Sequence, residues 1–376
     1  MLTAAGSTAR QARLRNVLAN QKIDAALITD LRDIYYYTGK NYMGYFPWPA
    51  CLFIETTGKS WLIGPSADGA AVDECLTYEA STGATMNLDW MDRVAKLARD
   101  RFSKVKNVSR LGWTSQTTQG QLRLLLDEII KPREIVTVDP ILHRLQRNKQ
   151  DADELAVIQS AIHADLAAYD AVQRAIRPGV TELEVLQAGY LGAIAAAGER
   201  VIHDGDYQAG GPGGFARNVA IQAGDLYIID AWTHVRGYWS DLCRTFSIDN
   251  KPTDVQQSAY DHVAATHAKI SPMFKPGARG TEIAKAVDEH LRQHTVFKDT
   301  GLVHHAGHGL GIRVHMDPDL NLLREGILEE GDLVCFEPGG YNNAHRVHIR
   351  LENTYQITKS GSRNLVDYPF NLVRKT

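Results

Sequence analysis

Cysteine is scarce in this chain of 376 residues: the four thiols, Cys51, Cys75, Cys243 and Cys335, lie far apart and form no CxxC pair. That spacing argues against a disulfide framework and suits a reducing compartment. Long hydrophobic runs are missing as well, and the longest is far too short to span a bilayer. The opening stretch MLTAAGSTARQARLRNVL is polar and basic, with no apolar signal core, so the expected location is the cytoplasm. Neither sign of charge dominates. With 41 basic and 44 acidic residues the formal net charge is −3, which predicts no nucleic-acid partner and no membrane partner. Low-complexity tracts and long linkers are also absent. What remains is a chain long enough for two domains, each with a substantial core.

The stretch that organises the chain is Gly224 to Thr245, GDLYIIDAWTHVRGYWSDLCRT. Leu226 to Ile229 has the β-branched, apolar character of a buried strand and delivers Asp230 at its far end. Arg236-Gly237 supplies a turn, and the returning segment carries Asp241 beside the first acid. Two buried carboxylates held together repel and resist ionisation unless a cation sits between them. The plainer alternative is that Asp230 caps a strand end and Asp241 pairs with Arg244.

The pattern recurs, which favours the cation. GDLYIID (Gly224 to Asp230) returns as GDLVCFE (Gly331 to Glu337), and Glu352 follows Glu337 as Asp241 follows Asp230. Upstream, Arg177-Pro178-Gly179 leads to Thr181-Glu182, and Lys275-Pro276-Gly277 leads to Thr281-Glu282. Each Pro-Gly follows a probable helix, and each Thr-Glu starts another. This is a two-copy duplication rather than a solenoid array. Packed about a pseudo-twofold, the copies bring two carboxylates each to one centre. Between their acids lies HHAGHGLGIRVHMDPD, with His304, His305, His308 and His315 inside twelve positions. Neutral imidazole is a good ligand for divalent transition metals, and the interleaved glycines permit close backbone approach. Carboxylate-rich ligation with one histidine favours Mn²⁺, with Co²⁺, Fe²⁺ or Zn²⁺ as alternatives. Cys243 and Cys335 each stand two residues from a candidate ligand and read as small buried packing residues.

Residues 1–147 read as an α/β domain with no catalytic cluster. A helix from Thr8 to Gln21, a strand from Ala25 to Ile28 and a hairpin through Thr57-Gly58 are expected. The loop Tyr42 to Pro49, with Tyr45, Phe46 and Trp48, is aromatic enough to wall a pocket. The densely charged segment Arg147 to Glu154 marks the boundary, so the second domain is taken as 148–376.

On these motifs the chain resembles the pita-bread metallohydrolases of peptidase family M24: methionine aminopeptidase, aminopeptidase P, prolidase (Xaa-Pro dipeptidase) and creatinase. The resemblance covers about residue 150 onward, and the first domain is similar to the creatinase/prolidase N-terminal domain. It implies an α+β pita-bread catalytic domain with an internal pseudo-twofold. It also implies two divalent metals held by Asp230, Asp241, His308, Glu337 and Glu352. By the same resemblance His304 and His315 act at the substrate, Tyr341 and Arg350 brace the metal carboxylates, and Glu337 accepts and returns the proton. A homodimer is implied, with Trp48 on a loop that closes a neighbour's site. The implied activity is hydrolysis of peptide or amide bonds, in the first place of Xaa-Pro dipeptides or Xaa-Pro amino termini.

Two departures from the family pattern bear on substrate. Proline-specific members place a further histidine about seventeen residues before the first metal aspartate; here that position is Gly213, inside AGGPGGFAR, and His203 lies ten residues further upstream. Met316 also replaces an acidic residue that often follows the distal histidine. The alternatives are a small-molecule amidase or C–N hydrolase of the ectoine-hydrolase or creatinase type, a carbon–sulfur lyase on the same scaffold, and a metal-free binding module. The five intact ligand positions argue against the last.

Overall fold

A computed structural model describes residues 1–43, 48–66, 68–115, 120–147 and 151–374. The chain forms two compact units, Met1–Gln146 and Arg147–Thr376. Tyr45 and Phe46, singled out above, lie outside the described residues. Among the described residues no helix is long and apolar enough to cross a membrane.

The first unit is built on a six-stranded mixed sheet. Its spatial order is Glu74–Thr77, Ser60–Gly64, Cys51–Glu55, Ala25–Ile28, Arg110–Trp113, Glu134–Thr137. The hairpin Cys51–Glu55/Ser60–Gly64 is antiparallel, whereas Ala25–Ile28 runs parallel to Arg110–Trp113. Ala25–Ile28 is apolar and buried along its whole length, and Cys51–Glu55 as far as Ile54, as expected where a sheet is covered on both faces. Phe53 stacks on Trp61 with ring centroids 4.9 Å apart, and Phe102 from the helix Trp90–Phe102 closes the cluster. The first helix spans Ala4–Asn20 because Thr3 caps it, its hydroxyl accepting from Gly6 N at 3.0 Å. The aromatic run after residue 30 is helical, Leu31–Thr38, capped by Asp30 and closed by Gly39 in the left-handed region. Trp48 packs against Trp90 with centroids 4.7 Å apart.

The second unit repeats one plan twice. A helix, a Pro-Gly turn and a second helix lead into three antiparallel strands, the middle one carrying the Gly-Asp-Leu signature. In the first copy the helices are Ala152–Ala175 and Glu182–Ala197, and the strands are Ile202–Asp206, Leu226–Val235 and Leu242–Ser247. In the second they are Asp254–Ile270 and Gly280–Leu291, then Gly307–Gly309, Leu333–Phe336 and Asn353–Ile357. Gly179 and Gly277 adopt the same positive φ, +93° and +86°, which explains why glycine follows proline in both copies. Capping is duplicated in function but not in place. Thr181 and Glu184 form a reciprocal capping box on the second helix of copy one, and Thr253 and Gln256 form one on the first helix of copy two.

This architecture is an α+β fold with an internal duplication behind a creatinase-type first domain. The turn at Arg236-Gly237 has both residues at positive φ, +48° and +93°, the geometry that suits a two-residue hairpin. The central strand therefore continues past Asp230 to Val235, and the acid is internal to it rather than at its end. Arg244 ties the copies together rather than pairing with Asp241. Its guanidinium donates to Asn353 Oδ1 and Tyr368 O, each at 2.8 Å, and lies 4.5 Å from the Phe370 ring centroid.

Candidate active site

Where the two sheets meet, a cavity of about 310 Å³ is lined by Asp206, Asp230, Trp232, Asp241, His304, His305, His308, Val314, His315, Glu337 and Arg350. Glu352 lies beneath it, fully buried. All five residues expected to hold metal converge here, two acids from each copy and His308 from the strand preceding the second Gly-Asp-Leu. The helix Ala152–Ala175 supports the floor, since the Tyr169 hydroxyl donates to Ile229 O at 2.9 Å and accepts from Ala231 N at 3.3 Å. Both flanks of Asp230 are thereby fixed.

The electrostatics of this cluster are those of a site waiting for positive charge. Burial raises the Asp230 pKa to about 6, opposed by Arg350 and aided by Glu337. Burial followed by carboxylate repulsion pushes Asp241 and Glu352 well above the usual carboxylate range. Burial would raise Glu337 too, but the adjacent His308 and its charge bring it to about 2. Burial would lower His308, yet Glu337 and Asp241 beside it raise its pKa to about 9. Three buried carboxylate oxygens, Asp230 Oδ1, Glu337 Oε1 and Glu352 Oε1, have no hydrogen-bond partner. Glu337 Oε1 has His305 Nδ1 and His308 Nε2 each at 3.2 Å, close enough for attraction but not aligned for a hydrogen bond.

His308 is oriented as a ligand is. Its Nδ1–H faces Gly309 O at 3.0 Å, which aims Nε2 at Asp241 Oδ2, 3.5 Å away, and at Glu337. Two carboxylates closing on that nitrogen draw a positive charge between them: a proton on Nε2 in the metal-free protein, which a metal ion would displace. The donor set, with its orphaned oxygens, fits divalent metal ions. Two groups have ligand atoms within 4.8 Å of one another: Asp241, His308, Cys335 and Glu352, and His304, His305 and Glu337. Cys335 belongs to the first by position, but burial raises its thiol pKa well above the ordinary value, and the sulfur lies 3.8 Å from Thr354 Oγ1. Cys243 is likewise a buried thiol, donating to Arg350 O at 3.3 Å.

The surrounding residues form a connected brace. Arg350 Nε donates to Tyr341 Oη at 2.9 Å, Tyr341 pairs with His304 Nε2 at 2.9 Å, and His304 Nδ1 lies 2.6 Å from His305 O. Arg350 also donates through Nη1 to Asp230 and to Asp206 (3.1 Å), and through Nη2 to Pro212 O at 2.8 Å. His304 thus lines the cavity with both ring nitrogens engaged. His315 stacks on His308 at a centroid distance of 3.6 Å, and burial lowers both His304 and His315 to about 4, so both are neutral near pH 7.

Three cavity residues escaped the reading of the sequence, Asp206, Trp232 and Val314, and His305 stands in the histidine cluster without an assigned role. Trp232 and His305 carried a signal. Trp232 stands two residues after Asp230 on the same strand face, and His305 adjoins His304. Asp206 carried none, because its place opposite Asp230 depends on strand register. Gly213, where proline-specific relatives are expected to carry histidine, has φ +130°. A Cβ there would stand 2.2 Å from Asp206 Oδ2 and 3.3 Å from Arg350 Nη2. The Asp206–Arg350 pair fills that space. His203 is not in the cavity; it sits on the far face of the same sheet, bonded to Thr233 Oγ1 and Tyr207 Oη at 2.8 Å each.

A two-domain fold whose duplicated half gathers four carboxylates and an imidazole defines the class of metal-dependent hydrolases. Residues 156–359 match the metallopeptidase family M24 and residues 10–147 match the creatinase/prolidase N-terminal domain. The chain belongs to metallopeptidase family M24, whose members imply divalent metal ions. It is 26% identical over 371 residues to an uncharacterised peptidase, YqhT, of Bacillus subtilis, covering 96% of this chain and 98% of that protein. It is 28% identical over 354 residues to a Xaa-Pro dipeptidase of Pyrococcus horikoshii, covering 91% and 92%. Among solved structures, the prolidase of that archaeon superposes with a TM-score of 0.77 at 22% identity, over 97% of this chain and 99% of that one. A variant of Escherichia coli aminopeptidase P gives 0.77 at 20% identity, over 100% and 96%.

Proposed function

We propose that the protein is a dinuclear-metal hydrolase of peptide or amide bonds, acting on Xaa-Pro dipeptides or on the amino-terminal Xaa-Pro bond of short peptides. The observation that carries this reading is the convergence of Asp230, Asp241, His308, Glu337 and Glu352 with three of their buried oxygens unpartnered. These five residues hold the metals; Mn²⁺ fits the oxygen-rich set best, with Co²⁺, Fe²⁺ or Zn²⁺ as alternatives. When bound, such ions polarise a carbonyl and acidify water. Glu337, lowest in pKa of the four carboxylates and facing the cavity, takes the proton from the attacking water and returns it to the leaving nitrogen. His315, neutral and cavity-facing, donates to the substrate carbonyl as charge builds on its oxygen. His304 is fixed by Tyr341, and Tyr341 by Arg350, so this chain of contacts keeps the substrate wall in one geometry. The first domain is taken as 1–147 and the catalytic domain as 148–376, and Trp48 contributes to substrate binding by closing the site of a neighbouring copy. The working form is a cytoplasmic homodimer.

A second reading is C–N hydrolysis of a small non-peptide amide. It is favoured by the Asp206–Arg350 pair, which stands where a proline-specific histidine is expected. A metal-screened panel of Xaa-Pro dipeptides, longer Xaa-Pro peptides and N-acyl amino acids separates the two. The expected outcome is Xaa-Pro hydrolysis that requires added metal. The His315→Ala variant should lose about ten- to hundredfold, the effect of removing one donor from a desolvated site. Turnover of only the N-acyl compounds would transfer the assignment to the second reading.

A further inference from the structure

The cavity wall contributed by the first copy is made for a positively charged group. Asp206 is the cross-strand partner of Asp230, and Asp204 is the partner of Trp232, so all four share one face of the sheet. Asp230 belongs to the metal cluster. The other three do not, and Asp206 and Trp232 both line the cavity. The Asp206 side chain is 25% exposed, against 10% for Asp230, so its carboxylate remains accessible from the cavity. Only Oδ2 is engaged by Arg350. On a diagonal of the sheet, an indole two residues beyond Asp230 comes within about 7–8 Å of Asp206, a gap that a small cation fills.

Among the described cavity residues nothing comparable serves an anion. Arg350, the one guanidinium among them, already donates to Tyr341, Asp206, Asp230 and Pro212 O. His304 has both ring nitrogens engaged, one with Tyr341 Oη and one with His305 O. A substrate carboxylate therefore finds no uncommitted guanidinium among the described cavity residues, whereas a cation finds a carboxylate and a π face. We propose that Asp206 and Trp232 form the receptor for the free amino-terminal ammonium of the substrate. This assignment rests on the hydrolase reading above and names the substrate group that the site selects.

The test compares substrates that differ only in that group. Alanyl-proline and propanoyl-proline are given to the metal-reconstituted enzyme, the second lacking only the amino group. The wild type should prefer alanyl-proline by about ten- to hundredfold, mainly through KM, as a charge-assisted contact in a partly desolvated site would give. Asp206→Asn and Trp232→Leu should each bring the ratio towards one, and Trp232→Phe should retain it. A general loosening of the site would lower both substrates together and leave the ratio unchanged; that result overturns the proposal.

A binding measurement separates this inference from the hydrolase reading. Tetramethylammonium, which cannot ligate metal, is titrated calorimetrically against the enzyme beside its neutral counterpart tert-butanol. Selective binding of the cation, lost in Asp206→Asn and Trp232→Leu, supports the receptor even if no peptide is cleaved, and then the hydrolase reading alone fails. Equal binding of the two probes, or selectivity that survives both variants, rejects the receptor.

Discussion

The two copies within the catalytic unit use one plan for different ends. Each sends a Gly-Asp-Leu strand into the centre and follows it with a second acid-bearing segment, so each supplies two carboxylates. They part company at the neighbouring positions. Opposite Asp230 stands another acid, Asp206; opposite Glu337 stands Ala306, whose carbonyl accepts from Glu337 N at 2.9 Å. Two residues beyond Asp230 the strand continues and presents Trp232 to the cavity. Two residues beyond Glu337 the chain has passed Pro338 and reaches Gly339, where a Cβ would meet Tyr341 Oη at 2.5 Å and His304 Nε2 at 2.7 Å. The second copy thus packs imidazoles and a phenol around its glutamate, and the first leaves an acid and an indole facing outward. The two copies keep a pair of carboxylates each, and they differ in the positions beside those acids.

The largest effect should come from testing whether the two acids of the Gly-Asp-Leu strands are equivalent. Glu337→Gln is expected to lower kcat by about 10²- to 10⁴-fold, the range for losing a general base, with metal content largely retained. Asp230→Asn should instead reduce metal content measured by elemental analysis. Parallel loss of metal in both variants would erase the functional asymmetry.

A second test reads the cluster as a whole through pH. In the metal-free protein Asp230 has a folded pKa of about 6, above the usual aspartate value, and Asp241 and Glu352 are raised also. A raised folded pKa contributes stability that is present at low pH and lost as pH rises through the folded value. The metal-free chain should therefore lose stability relative to the metal-loaded chain between about pH 4 and 7, by roughly 3 kcal/mol from Asp230 alone. Buried histidines act in both forms: His267, lowered to about 3 by burial, loses stability as pH falls below its unfolded value, so it cancels in the difference. Calorimetric melting with chelator and with Mn²⁺ across this range checks the sign; a gap that narrows as pH rises would contradict it.

The smallest effect concerns the loop on the first copy's side. Gly213→His, the substitution that would install a proline-specific histidine, is expected to lower stability by about 1–3 kcal/mol, since a side chain at that φ is strained and meets Asp206. It should not raise Xaa-Pro turnover. A folded, equally stable variant with improved kcat/KM would show that the loop can open.

Much of the centre was legible because duplication writes its own key: the repeated Gly-Asp-Leu, each with an acid at one offset, marked Asp230 and Glu337 before any geometry. The turn at Arg236-Gly237 was readable from its chemistry, and Trp232 could have been read from strand alternation. Asp206 could not. Its partnership with Asp230 requires knowing that Ile202–Asp206 pairs in one register across a connection that includes the glycine-rich stretch, and short polar strands carry too little hydrophobic pattern to fix register. In the first domain Tyr35, Tyr36 and Tyr37 suit a strand by propensity, yet cap and tertiary burial make the run a helix.

The contact between Gly213 and Asp206 also constrains the order in which this lineage can change. A side chain at position 213 meets Asp206 Oδ2 as well as a strained φ of +130°, and shrinking residue 206 to relieve the first removes a partner of Arg350, which in turn steadies Asp230. Either single step passes through a weakened intermediate. The two positions therefore have to be altered as a pair, and a library that varies them together will reach sequences that one-at-a-time mutagenesis never samples.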